Sequence, residues 1–312
     1  MHRAPRPTDA AWTAPSTPAA TTSRSRQRRE SRHHTEDTDA MKIGKATVPE
    51  TAICTYNEDT IVVRGADLCQ DLIGKVGFVE YFWLLVTGQH PSPTAARVLD
   101  ATLVAIAEHG LVPSVQASRM TLAAAPDAIQ GAVAAGILGC GSVILGASET
   151  AGRLFLRVDA LARDKALSLE EAAAEIVREL RAAKHAVPGY GHPQHKARDP
   201  RVARLFAVAQ EAGAPMHFVR IAEAIEKVLP DITGRDLRLN VSAAIPAVLL
   251  DVGFPAEALK GVPILARTAG LIGHLTEELA RPIGFALSYQ ATREQVYTGP
   301  VPEGFVPKTA VA

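Results

Sequence analysis

Aromatic side chains are scarce in this sequence: Phe, Tyr and Trp together make up 5% of it, while alanine, leucine and valine abound. A core cannot be filled with rings that are not there, so the composition predicts helices packed closely through small side chains. Cysteine is nearly absent. Cys54, Cys69 and Cys140 form no CxxC pair and leave an odd count, which excludes a disulfide-stapled scaffold and fits a reducing, cytoplasmic setting. Net charge is absent as well, with 33 basic against 33 acidic residues. A protein whose main work is coating nucleic acid needs a surplus of cations, so that class is excluded. Neither GxGxxG nor GxxxxGK occurs, which removes a glycine-rich phosphate loop. There is no secretory apolar core, no internal repeat and no long apolar–polar alternation.

What is present is length and apolarity: 312 residues, 47% of them hydrophobic, enough for one large domain or two smaller ones. Residues 1–40 stand apart. They are rich in Pro, Ser, Thr and Arg, carry no apolar period that could bury a face, and are expected to be disordered. A transit peptide, a basic arm in "RSRQRRESRHH" and metal binding by His33 and His34 are weighed against an unstructured extension ahead of Met41; the extension is preferred. The uncharged run at 128–147, "AIQGAVAAGILGCGSVILGA", is long enough to span a bilayer. It is Gly-Ala-rich, has no aromatic belt and no comparable neighbour, so a buried helix is expected and no membrane contact.

Past Met41 two β-like runs, "TAICTY" and "TIVVRG", flank the turn-forming "NED". Helical periodicity then dominates. Val98, Leu99, Leu103 and Ile106 share a face behind Thr94 as N-cap. Ser168 and Glu171 form a capping box ahead of Ile176 and Leu180. Phe218, Ile221, Ile225 and Val228 make a stripe ended by Pro230, and Ile264, Leu265, Leu271, Ile272 and Leu275 mark a helix stopping before Pro282. The fold class is therefore all-α with a small N-terminal hairpin. Composition shifts near 146–152 and 253–255 bracket a smaller domain at 149–253, between two parts of a large helical domain at 41–148 and 254–312.

The oddest passage is "VPGYGHPQHKARDPRVARLF" at 187–206. Asp199-Pro200-Arg201 reads as a helix start, with Asp as N-cap and Pro in the first turn. Such an end attracts anions, and the Arg201 fork can grip a carboxylate. Gly189 and Gly191 permit a sharp turn that brings His192 near a ligand, where an imidazole can exchange a proton near neutral pH. Against this stand blander readings: a turn histidine that caps backbone, and Lys196 with Arg198 as a solvated face. A metal site at His192 and His195 lacks a third ligand at convincing spacing, so none is expected.

"PGYGHPQHKARDPR" resembles the signature of the citrate synthase family, a Gly-aromatic-Gly-His run followed by Asp-Pro-Arg. The similarity extends through "VVRGADLCQDLIGKVGFVEYFWLLVTGQHPS", "LNVSAAIPAVLLDVGFP", "LARTAGLIGHLTEEL" and "REQVYTGP", and the "EHGLVPS…ASRMT" phrasing is most similar to citryl-CoA lyases. The resemblance implies a two-domain helical homodimer closing over an oxo-acid such as oxaloacetate, with an acyl-CoA thioester as co-substrate, no separate cofactor, and a place in tricarboxylic acid metabolism. His192 would contact the oxo-acid carbonyl or tertiary hydroxyl, and Arg201 and Arg267 would bind carboxylates. Arg281 would be the arginine donated across the dimer, and His109 a second ligand-contacting histidine. Read from the residues alone, His109 beside Gly110 equally suits a helix C-terminus.

Two positions depart from the family pattern. Ile144 in "GSVILGAS" stands where a histidine normally bonds the thioester oxygen, and Ser242 in "NVSAA" stands where an aspartate normally handles the acetyl proton. Isoleucine donates no hydrogen bond, and a serine hydroxyl is a poor base without an activator. The expected activity is reversible C–C bond cleavage or formation between an acyl-CoA enolate and an oxo-acid. The alternative is a non-catalytic ligand-binding paralogue.

Overall fold

The computed structural model describes residues 50–141, 145–191 and 199–306. An antiparallel meander opens the described chain: β1 (Cys54–Tyr56), β2 (Ile61–Val63) and β3 (Ala66–Asp67), with Cys54 opposite Val63 and Val62 opposite Asp67. The expected hairpin thus gains a third strand. Its turn is Arg64-Gly65, both at positive φ (51° and 88°), the backbone a two-residue hairpin needs. The Arg64 side chain then donates to the Leu85 carbonyl at 2.6 Å and pins the sheet to the first helix.

Helices make up nearly all the rest. They are α1 (Phe78–Thr87), α2 (Pro93–Ala107), α3 (Pro113–Ala124), α4 (Ile129–Leu138), α5 (Ala147–Lys165) and α6 (Leu169–Ala182). After them come α7 (Pro200–Glu211), α8 (His217–Thr233), α9 (Val241–Asp251), α10 (Gly261–Ala280) and α11 (Gly284–Glu294). The all-α reading holds. The core is organised around α9, whose Ala243, Ala244, Ile245, Ala247, Val248 and Leu249 are all buried. Helices α2, α5, α7 and α8 pack on it. A helix apolar all round belongs in the middle of such an arrangement. At its far end Asp251 is buried and accepts the N–H groups of Phe218 (2.9 Å) and Val219 (3.1 Å), capping α8 from a neighbouring helix.

Three local expectations are corrected. Ser92, not Thr94, caps α2 by accepting the Ala95 N–H at 3.1 Å, because Pro93 takes the first helical position; the Thr94 hydroxyl instead donates to the Ala212 carbonyl at the end of α7. Helix α8 runs past Pro230 to Thr233, since a proline in the last turn forfeits one hydrogen bond and Gly234 closes the end in the left-handed conformation. The run at 128–147 is not one buried helix. Helix α4 stops at Leu138, which is 85% exposed, and α5 begins at Ala147. Among the described residues no helix is long and apolar enough to cross a membrane. The Ser168–Glu171 capping box forms as expected.

Candidate active site

Two helix starts converge on one carboxylate. Asp199 caps α7 by accepting the Arg201 N–H at 3.0 Å, and the Arg201 fork closes on it through Nε–Oδ1 (3.0 Å) and Nη2–Oδ2 (2.7 Å). The Val241 N–H, at the start of α9, donates to the same group. Burial pushes the Asp199 carboxyl up, but these donors outweigh it and hold it below the ordinary carboxylate range. The Arg201 guanidinium is therefore already gripped by its own N-cap, and Nη1 lies 3.5 Å from the Ala105 carbonyl near the end of α2.

The glycine bend is fastened to the start of α9. Asn240 donates from its backbone to the Gly189 carbonyl (3.0 Å) and from Nδ2 to the Gly191 carbonyl (2.7 Å), while its Oδ1 caps α9 at the Ser242 N–H (2.9 Å). The Gly191 N–H donates to the Arg238 carbonyl at 2.7 Å, and Tyr190 bridges Leu239. Gly189 and Gly191 both sit at positive φ, 87° and 85°, and a Cβ on Gly189 would fall 2.5 Å from that of Ala243. Only glycine fits there. Between them the Tyr190 ring is buried and its hydroxyl donates to the Ala222 carbonyl. The chain thus leaves Gly191 beside the first turn of α9, where Ser242 is half-buried. Its hydroxyl makes no hydrogen bond to the described residues, so nothing there activates it. His192, His195, Lys196, Arg198 and Ile144 lie outside the described residues.

Arg267 sits in α10 and is 5% exposed, yet its Nε and Nη1 have no hydrogen-bond partner among the described residues. A buried, unpaired guanidinium carries a desolvation penalty of several kcal/mol, which an anion placed against it would relieve. One turn on, Gly270 brings α10 into backbone contact with α2: a Cβ there would lie 2.0 Å from the Ala107 carbonyl oxygen. Arg201 and the Arg267 helix therefore flank the same end of α2. Cys140 lies beside this cluster. Burial pushes its thiol up, with the Ser114 hydroxyl and the Arg267 charge pulling the other way. The Ser114 hydroxyl is buried without a well-formed hydrogen bond.

His109 and Arg281 are both exposed, His109 just past α2 and Arg281 at the end of α10. What anchors their backbones is a buried network that the sequence did not reveal. Arg119 in α3 donates from Nε to Glu278 (2.6 Å) and from Nη1 to Glu277 (2.6 Å) and His274 Nδ1 (3.2 Å); Nη2 reaches the Arg281 carbonyl at 3.3 Å. His274 Nε2 stands 2.9 Å from Glu108, bent away from an aligned hydrogen bond. Arg119 and Glu278 are 159 positions apart, beyond the reach of any local pattern. Among the described residues no group of three or more His, Cys, Asp or Glu is placed to hold a metal.

The chain has relatives in sequence and in fold. The model for "Citrate synthase, C-terminal domain" matches residues 2–283. The citrate synthase of Synechocystis sp. is 27% identical over 75% of this chain and 56% of its own length. The chain spans about half the length of the curated relatives it matches. Among solved structures, citryl-CoA lyase from Hydrogenobacter thermophilus superposes with a TM-score of 0.71 at 31% identity, over 83% of this chain and 98% of that one. ATP citrate lyase from Methanothrix soehngenii, solved with citrate and coenzyme A, superposes at 0.67 and 25% identity over 85% of this chain and 44% of its own. Matched by the family model over residues 2–283, this chain belongs to the citrate synthase family.

Proposed function

We propose that the protein makes or cleaves a carbon–carbon bond between an acyl-CoA, acetyl-CoA in the simplest case, and an oxo-acid such as oxaloacetate. Arg267, buried and with no partner for Nε and Nη1 among the described residues, carries this reading, because a di- or tricarboxylate would supply an anion for it. In the cleavage direction Arg267 holds a carboxylate, Arg201 offers a second one the Nη1 edge that Asp199 leaves open, and His192 takes the proton of the tertiary hydroxyl. The C–O bond becomes a carbonyl as the adjacent C–C bond breaks. Its electron pair passes to the thioester enolate, whose carbon takes a proton from water before it leaves as the acyl-CoA, while the proton held by His192 returns to solvent. No metal or redox group enters this scheme. Ser242 stands where the proton on the acyl carbon would be handled.

A cavity of about 340 Å³ beside the bend supports the thioester part. Leu154, Leu180 and Pro188 give it an apolar floor; on its rim Arg153 and Arg157 are paired with Glu149 and Glu179, so a phosphate there would have to share these arginines with the glutamates. Exposed Met120, Leu138, Leu279, Phe285 and Tyr289 lie on α3, α4, α10 and α11, which pack together; an apolar face of this kind suits a second copy of the chain. In this reading the protein is a cytoplasmic homodimer of tricarboxylic acid metabolism, in which residues 149–253 close over the rest and Arg281 reaches the partner's site. The test is turnover of citryl-CoA by the purified protein, followed as acetyl-CoA and oxaloacetate released. Product formation that is lost in His192→Ala and Arg267→Met supports an enzyme. Affinity for citryl-CoA without product identifies a binding protein instead.

A further inference from the structure

Glu108 and His274 occupy a position that the reaction scheme above does not use. Glu108 is the first residue after α2, and its carboxylate accepts the backbone N–H groups of His109 and Gly110. Burial pushes this carboxyl up, but His274 and the two loop N–H groups outweigh it and lower it. The loop is fixed again further on, where Gln116 Nε2 donates to the Leu111 carbonyl at 2.7 Å. Glu108 can lie against α10 because Gly270 is there: a Cβ on Gly270 would come within 3.3 Å of Glu108 Oε2. His274, one turn further along α10, meets that carboxylate at 2.9 Å.

The other face of the imidazole is set by Arg119. A guanidinium carries only donors, so Nδ1 of His274 accepts from it and the ring proton sits on Nε2, the atom that approaches Glu108 at 2.9 Å as an electrostatic contact rather than an aligned hydrogen bond. Arg119 is itself immobilised by Glu277 and Glu278, and Glu278 also accepts the N–H groups of Ile283 (2.9 Å) and Gly284 (2.7 Å) at the start of α11. One buried guanidinium thus orients His274 and holds the carbonyl of Arg281. The two exposed side chains assigned to ligand contact hang from this single frame.

We propose that His274 is a positioning residue: through Glu108 it fixes the backbone that aims His109 at the oxo-acid, and Arg119 ties that loop and the Arg281 turn to one rigid support. This rests on the reading of His109 given above, so the test has one arm that needs no ligand. In the full chain, His274→Ala and Glu108→Ala should speed amide hydrogen exchange across residues 108–112 by about tenfold. His274→Gln, which keeps a donor near the position of Nε2, should restore wild-type exchange. Calorimetry with citrate supplies the second arm. His274→Ala should weaken citrate binding roughly ten- to a hundredfold in the wild-type background and add nothing in a His109→Ala background. Unchanged exchange in both alanine variants overturns the clamp. Faster exchange with additive losses of affinity overturns its action through His109. A wild-type chain that binds no citrate overturns the assignment of this loop to the oxo-acid, while the exchange arm still decides the clamp.

Discussion

Arg201 and Asp199, two positions apart at the start of α7, form a two-pronged ion pair at 3.0 and 2.7 Å. The Asp199 side chain is 1% exposed and the Arg201 side chain 23%. Asp199 also takes the N–H groups of Arg201 and Val241, so one carboxylate joins two helix starts and aims one arginine. Asp199→Ala should cost about 2–3 kcal/mol, the low side for breaking a buried pair because Arg201 keeps some solvent. Arg201→Ala should abolish binding of citrate-type ligands while the protein stays folded. Thermal melts and citrate titration of both variants check this; an Arg201→Ala protein with full affinity refutes the assignment.

Arg267→Met should separate stability from function. Removing a buried guanidinium whose Nε and Nη1 lack partners among the described residues relieves a desolvation penalty, so the melting temperature should hold or rise. Citrate should raise the melting temperature of the wild type and leave that of the variant unmoved. A strongly destabilised variant would show that Arg267 is structural.

Gly189→Ala forces a side chain into a left-handed backbone at φ 87° and within 2.5 Å of the Ala243 Cβ. Strain and overpacking together should cost about 2–4 kcal/mol. Because the bend is zipped to Asn240, the variant should also lose turnover beyond what its folded fraction explains. Chemical denaturation with activity measured on the same samples decides the point.

Acid should destabilise the protein through particular carboxyls. Burial raises Glu278, but the N–H groups of Gly284 and Ile283 and the Arg119 fork outweigh it, and Asp199 is likewise depressed. Folded values below unfolded ones mean stability that is complete above about pH 4–5 and lost as pH falls through the depressed values. Asp251 works in the opposite sense: burial raises it, so its contribution declines as pH climbs from about 4 through the raised value. Glu278→Gln should lower the melting temperature at pH 7 and flatten its fall between pH 5 and 3. An unchanged slope contradicts this account.

Ser242→Asp should raise citrate-forming activity. The position lies in the first turn of α9, where a carboxylate gains about 0.3–1 kcal/mol from the helix end, and the change supplies the base that serine is not. Ile144→His would add a donor for the enolate oxygen. Since both act on one transition state, the double variant should exceed the product of the singles. Acetyl-CoA consumption with oxaloacetate across the four proteins measures it. A wild type already as fast as ordinary citrate synthases sinks the idea.

Much of the local scaffold could be read from the chain because its pieces are local. Asp199-Pro200-Arg201 as a helix start, the glycines around Tyr190 and the Ser168–Glu171 box each depend on residues within a turn of one another, so a linear pattern is enough to fix them. Periodicity likewise determined the all-α class, because a helix face repeats every three or four residues. It failed where distant partners decide. Thr94 was drawn away to Ala212, and the apolar run at 128–147 broke after Leu138. It took the packed helices to show that the Arg201 fork is closed by Asp199, that Arg267 is buried with no partner for Nε and Nη1 among the described residues, and that Arg119 holds the frame beneath His109 and Arg281. Burial and pairing are properties of surfaces that meet across more than a hundred residues of chain, and a sequence pattern carries only what one surface offers, not what comes to face it.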